Sequence, residues 1–211
     1  MRLATLLVLG CTACQRRDPA VHLQLLAGID VSGSNLSHRE EACQAVNSLV
    51  DSALPPRTMV TLWQFDSLPA IRYSEVPAGG AEDLADAEKS IRQMKSTTHG
   101  TYLSRLLQAQ LATIQADTSA KDRFVLLVAA DGDDEDPNAT RAVARQLAQD
   151  SRIVAVWVAG VSDTDPGRLR EHTNADFAPF GNRLVVNGRF DEEPAFARVR
   201  SLIKNAERMQ R

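Results

Sequence analysis

Two hydrophobic periods alternate along the chain. Compact apolar runs of strand length lie at Leu23–Val31, Thr58–Phe65, Phe124–Ala130 and Arg152–Ala159, with a weaker one at Leu184–Asn187. Between them, apolar residues recur at three- and four-residue spacing, as on one face of a helix. These stretches predict helices at Arg39–Ala53, Glu82–Met94, Leu103–Ala116, Ala139–Gln149, Pro166–His172 and Glu192–Glu207. Pro55-Pro56 ends the first, Pro137-Asn138 opens the fourth, and Asp165 with Pro166 caps the fifth. Ala70–Val76 is flanked by Pro69 and Pro77 and predicts a short edge strand.

Regular strand–helix alternation predicts an α/β fold with a mostly parallel sheet, right-handed crossovers and helices on both faces. The blurred alternation within the strands fits a sheet covered on both sides. The 211 residues carry 44% hydrophobic and 24% charged side chains, ordinary for one globular domain with a proper core. No internal repeat or interdomain linker breaks the pattern, and no 18-residue apolar stretch in the body of the chain predicts a membrane span. A net charge of −3 gives no reason to expect nucleic-acid binding.

Three loops, expected where strand gives way to loop or helix, carry oxygen-bearing side chains. Asp30-Val31-Ser32-Gly33-Ser34 closes the first strand, Gly100-Thr101-Tyr102-Leu103 opens the third helix, and Asp131-Gly132 follows the third apolar strand. In open parallel sheets, sites form in the crevice beyond the carboxyl ends of the strands. Carboxylates and hydroxyls without thiols or imidazoles suit Mg²⁺, Mn²⁺ or Ca²⁺ rather than zinc or copper. Singly, Ser32, Ser34 and Thr101 are also ordinary turn or cap residues.

The Asp-x-Ser-x-Ser stretch, the Gly-Thr-x-Leu loop and the Asp-Gly step, in this order, resemble the metal-ion-dependent adhesion site of von Willebrand factor A-type domains. The family usually has Thr before that last Asp, where this chain has Ala130. The resemblance implies a Rossmann-like fold with a central sheet of about six strands and one short edge strand. It implies Ser32, Ser34 and Thr101 as direct ligands of one divalent ion, with Asp30 and Asp131 holding coordinated waters. Mg²⁺ is expected, with Mn²⁺ and Ca²⁺ as alternatives. It further implies a coordination position left for an Asp or Glu of a protein partner. That is a binding function and not catalysis.

Asp133, Asp134, Glu135 and Asp136 extend the last loop as an acidic run, expected to be solvated. It lacks EF-hand spacing. Of the four histidines, only His99 falls near a candidate ligand.

The N-terminus has a different character. A basic Met1-Arg2, an apolar Leu3–Leu9 and small residues up to Cys14 resemble a secretory signal. Cysteine after small residues resembles the lipobox of bacterial lipoproteins, with Cys14 or Cys11 as the acylated residue. The expected division is a signal over 1–14, a short linker over 15–20 and the domain over 21–211. The expected location is then the bacterial cell envelope, anchored to the membrane by lipid; a cytosolic protein with an apolar start is the alternative. Cys43 remains alone on an apolar helix face, expected as a small buried hydrophobe.

Enzymatic readings find little to stand on. No GxxxxGK[ST], GxGxxG or GxSxG occurs. Ser32 stands where a haloacid-dehalogenase-type phosphatase would have its second Asp. A Mg²⁺-dependent phosphoesterase and a metal-free scaffold are the alternatives to the binding module.

Overall fold

The computed structural model describes residues 22–33, 38–95, 100–161, 168–188 and 193–208. Among them, six strands form one sheet in the order β3-β2-β1-β4-β5-β6. The strands are β1 (Leu23–Asp30), β2 (Met59–Phe65), β3 (Ala70–Glu75), β4 (Arg123–Ala129), β5 (Ile153–Ala159) and β6 (Leu184–Asn187). All neighbours are parallel except β2 and β3, which form an antiparallel hairpin. The edge strand expected between two prolines is therefore β3. The helices are α1 (Arg39–Ser52), α2 (Ala85–Gln93), α3 (Leu103–Ala116), α4 (Pro137–Ala148), α5 (Arg168–Phe177) and α6 (Glu193–Arg208).

Successive strand residues point to opposite faces, so β1 feeds two cores. Leu25, Ala27 and Ile29 join Val46 and Leu49 of α1, Ile91 of α2, and Val199 and Ile203 of α6. Leu26 faces the other way, toward Leu103, Leu106 and Leu107 of α3, Val143 and Leu147 of α4, and Phe177 of α5. Cys43 is fully buried in the first core, as its helical spacing predicts.

Most expected boundaries agree within two residues. Two differ for physical reasons. Glu82–Met94 divides into a 3-10 turn at Gly80–Leu84 and then α2. Gly79, Gly80 and the Asp51 carboxylate explain the tight start: Gly80 has φ +76°, and the Ala81 N–H donates to Asp51 Oδ1 at 2.9 Å. The fifth helix runs on to Phe177, because Phe177 is buried against the sheet and stacked with Phe180. Its Asp165–Pro166 cap lies outside the described residues.

β1 and β4 are neighbours, although α1, β2, β3, α2 and α3 lie between them in the chain. Crossovers thus leave β1 toward β2 on one side and continue from β4 toward β5 on the other. This is the switch point at which open sheets form a crevice. Ile29 pairs with Ala129, so Asp30 lies one residue beyond the last pair and Asp131 two residues beyond it.

Candidate metal centre at the β1–β4 switch point

Asp30 is 0% exposed, and Ser32, Thr101 and Asp131 are also buried. The chain makes this possible by turning sharply after β1. The Ser32 N–H donates to Asp30 Oδ1 at 2.8 Å, closing a turn around its own carboxylate. The Val31 N–H donates to the Phe65 carbonyl at 2.8 Å, which holds the turn on the end of β2. From the far side of the crevice the Thr101 hydroxyl donates to Asp30 Oδ2 at 3.0 Å. Residues 71 positions apart in sequence thus meet on one carboxylate.

Burial pushes the Asp30 carboxyl up from its ordinary value of 3.8 to about 6. Hydrogen bonds from the Ser32 backbone and hydroxyl and from Thr101 pull in the other direction, while the neighbouring Asp131 charge adds to the rise. The fold therefore holds two carboxylates against each other in a buried crevice. That arrangement is costly for an anion and favourable for a bound cation.

The Asp131 loop owes its shape to Gly132, which adopts φ +91°. A Cβ there would also meet Val161 Cγ1 at 2.9 Å. The Asp133 N–H donates to Asp131 Oδ1 at 3.1 Å, and the Glu135 N–H to the Thr101 carbonyl at 2.9 Å. Gly100 lies against the exposed Glu135 side chain, which would have to swing aside for a Cβ at this position. The acidic run is therefore only partly solvated. Asp133, Glu135 and Asp136 are exposed, but Asp134 accepts from the Leu103 N–H at 3.3 Å and its carboxyl is raised by burial. Asp134 thus fixes the start of α3, the helix that follows Thr101.

Four of the five expected ligand residues, Asp30, Ser32, Thr101 and Asp131, come together. Ser34 and His99 lie outside the described residues. Among the described residues, no three His, Cys, Asp or Glu side chains cluster as a metal site; the centre has two carboxylates and draws its other oxygens from hydroxyls. These are all hard oxygen donors, as a Mg²⁺-like ion prefers. A cavity of about 490 Å³ opens at the opposite end of the sheet, bordered by Val50, Leu54, Pro55, Pro56, Val60 and Val76, and none of the candidate ligands lines it.

One contributor escaped the sequence reading. Arg39, in the first turn of α1, is buried. Its guanidinium donates to the Val31 carbonyl and, at 2.6 Å, to the Met94 carbonyl. It thereby ties the turn after Asp30 to the end of α2. A cation in the first turn of a helix opposes the helix dipole, and that misfit was the available signal.

Residues 26–181 match the family model of the von Willebrand factor type A domain, and the chain belongs to that family. Solved structures with the same fold include the conserved hypothetical protein BatB from Bacteroides thetaiotaomicron, with 16% identity and a TM-score of 0.63, covering 90% of this chain and 100% of that one. Manganese-loaded TRAP protein of Plasmodium vivax is similar at 15% identity and a TM-score of 0.65, over 86% of this chain and 73% of that one. Proximal thread matrix protein 1 from the mussel byssus, with a zinc-occupied MIDAS motif, gives 16% identity and a TM-score of 0.59. There 87% of this chain is covered but only 46% of the mussel chain, so this chain spans less than half of that protein. No curated protein matches the sequence. Among the described residues, no helix is long and apolar enough to cross a membrane.

Proposed function

We propose that this domain is a divalent-cation-dependent binding module that recognises an acidic side chain on a protein partner. The observation that carries the reading is the fully buried Asp30 carboxylate, held by Thr101 and Ser32 with Asp131 as its charged neighbour. Structural relatives carrying manganese or a zinc-occupied MIDAS motif support a divalent ion at this end of the fold.

Ser32, Ser34 and Thr101 would hold the ion through their hydroxyls, with Asp30 and Asp131 acting through coordinated water. When bound, the ion supplies a Lewis-acidic position for an incoming carboxylate. Mg²⁺ fits a set of few anionic ligands with retained water, and Mn²⁺ follows the same chemistry. The chain's own part is to fix these oxygens at the ends of β1 and β4 and, contrary to the expected third strand end, on the loop between α2 and α3, and to keep the direct ligands neutral. The cation then retains charge toward a partner.

The N-terminal segment, outside the described residues, adds a lipid anchor at Cys14 or Cys11 and a place in the bacterial envelope. Labelling with a fatty-acid analogue tests this: the label is lost when both cysteines become Ser, and soluble protein that retains Met1 refutes it.

Calorimetric titration with Mg²⁺ and Mn²⁺ tests the centre. Wild type binds one ion, and the Asp30→Ala, Ser32→Ala double variant binds none. Undiminished binding by that variant disproves the assignment.

A further inference from the structure

Three loops stand side by side at the carboxyl end of the sheet, and they differ sharply in character. The β2–β3 hairpin lies on one side. Its Leu68 and Ile71 are 67% and 58% exposed, among the most exposed large apolar side chains of the described residues. Ile71 pairs with Trp63 near the top of β2, so it stands at the same end as Asp30. The Thr101 loop is central. The acidic loop, with exposed Asp133, Glu135 and Asp136, lies on the other side.

These loops are joined into one surface. The Tyr102 N–H donates to the Asp66 carbonyl at 3.0 Å, and Arg105 of α3 donates to the Ser67 carbonyl while lying 4.3 Å from the Tyr102 ring centre. The Asp66 carboxylate accepts from the Leu68 N–H at 3.2 Å and fixes the hairpin tip. Across the crevice, the Glu135 N–H bonds to the Thr101 carbonyl at 2.9 Å. Charge divides along the same line. Arg72 and Arg105 belong to the hairpin side, where the Asp66 carboxylate is turned onto the hairpin's own Ser67 and Leu68 N–H groups, and exposed Asp133, Glu135 and Asp136 belong to the other.

We infer that this surface takes an extended segment of a partner protein that carries an apolar residue on the hairpin side of its metal-reaching acid and a basic residue on the acidic-loop side. The inference rests on the metal-dependent reading above and specifies its partner. Charge complementarity selects the occupant: a basic side chain meets Asp133 and Glu135, whereas on the hairpin side it would meet Arg72 and Arg105. The two exposed apolar side chains give the apolar residue its place.

Sheet geometry sets the spacing. β3 is two strands from β1, about 10 Å at the usual separation of strands. An extended chain covers about 3.3 Å per residue, so the apolar residue falls about three positions from the acid. β4 is one strand away on the other side, about 5 Å, which places the basic residue about two positions from the acid.

The test is selection from a displayed peptide library with a fixed central Asp, bound to the full domain in Mg²⁺ and eluted by chelator. The expected pool is enriched in Leu, Ile or Phe about three positions to one side and in Lys or Arg about two to the other. The Leu68→Ser, Ile71→Ser double variant should bind selected peptides about tenfold more weakly, as expected when an apolar side chain loses its burial. It should also select no apolar position. Asp133→Ser with Glu135→Gln should remove the basic preference. Chelator-eluted peptides with random flanks, or full affinity in the Leu68/Ile71 variant, would overturn the docking surface and leave the metal reading intact. No chelator-eluted peptide at all would overturn both. Concentration-dependent self-association by sedimentation, lost in the Leu68/Ile71 variant, would assign the apolar side to a second copy of the chain and equally overturn the proposal.

Discussion

The two ends of the sheet treat their carboxylates in opposite ways. At the amino end, acids are matched by guanidinium groups. Arg152 donates to Asp150 Oδ2 at 2.8 Å and also to the carbonyls of Ile114 and Asp117, both at 2.9 Å. Arg183 donates to the carbonyls of Ala148, Asp150 and Ile153. Asp117 and Asp122 share the Gln24 amide, at 2.6 and 3.3 Å. The hydrogen bond from Arg152 holds the Asp150 carboxyl below its ordinary value. At the carboxyl end, Asp30 is buried beside Asp131 and its carboxyl is raised. The first arrangement ties α3, β4 and β5 together and contributes stability. The second costs stability, and perturbed acids in a crevice are where function concentrates. The difference separates fold maintenance from binding on the same sheet.

The sharpest test of that separation is the loss of an acid-end residue. Thr101→Ala or Asp30→Ala should weaken Mg²⁺ binding by about a hundredfold or more, as loss of ligands and their orienting partners does, with the fold retained on circular dichroism. Arg152→Ala should do the reverse. It strips hydrogen bonds from partly buried carbonyls and an acid, for an expected loss of about 2–3 kcal/mol in urea unfolding, while calorimetry finds Mg²⁺ affinity unchanged. If Arg152→Ala instead abolished ion binding in a folded protein, the two ends would not be independent.

Acid titration sharpens the comparison, because the two ends respond with opposite sign. Asp30 has a raised folded value, near 6 against 3.8. Its contribution to metal-free stability is favourable below about 3.8 and is lost as pH rises through about 6. At neutral pH the penalty is about 3 kcal/mol, at about 1.36 kcal/mol per unit. Asp150 has a lowered value, so its contribution is present above its unfolded value and is lost as pH falls through the folded one. Metal-free Asp30→Ala should therefore show a flatter stability profile than wild type between pH 4 and about 6. With Mg²⁺ present, acidification should weaken ion binding by about tenfold per pH unit below about 6, since the ion and the Asp30 proton compete. Thermal melts across pH, with and without Mg²⁺, read both effects. An ion affinity independent of pH through this window would show that Asp30 does not face the ion.

The smallest effect is expected at Asp136. Its carboxylate caps α4, accepting from the Ala139 N–H at 3.0 Å. Asp136→Ala should cost about 1 kcal/mol of stability and leave Mg²⁺ binding intact. Loss of binding in this variant would extend the metal-binding region into the acidic loop.

Much of this was legible in the linear pattern. The edge strand between Pro69 and Pro77, the helix Leu103–Ala116 and the short Leu184–Asn187 strand follow from local rules that act over a few residues. The order of Asp30, Ser32, Thr101 and Asp131 along the chain was legible too, through its resemblance to the adhesion site of von Willebrand factor A-type domains. Asp134 and Arg39 were not. Charged residues in a loop and in the first turn of a helix are ordinarily solvated, and the misfit of Arg39 with the helix dipole names no partner for it. Arg39 is buried, and Asp134 half-buried, only because distant backbone offers partners: Leu103 for Asp134, and Val31 and Met94 for Arg39.

By itself the sequence determined the elements, the α/β class and the hard-oxygen chemistry of the three loops, since these depend on residue type and short-range periodicity. Only the tertiary structure decided which strand lies beside β1. With it came the meeting of Thr101 and Asp131 on Asp30, the rise of that carboxyl, and the division of the rim into apolar and acidic sides. Strand order is set by how two faces of helices cover one sheet, and electrostatic shifts by burial and by charges far away in sequence. Neither is written in any window of neighbouring residues.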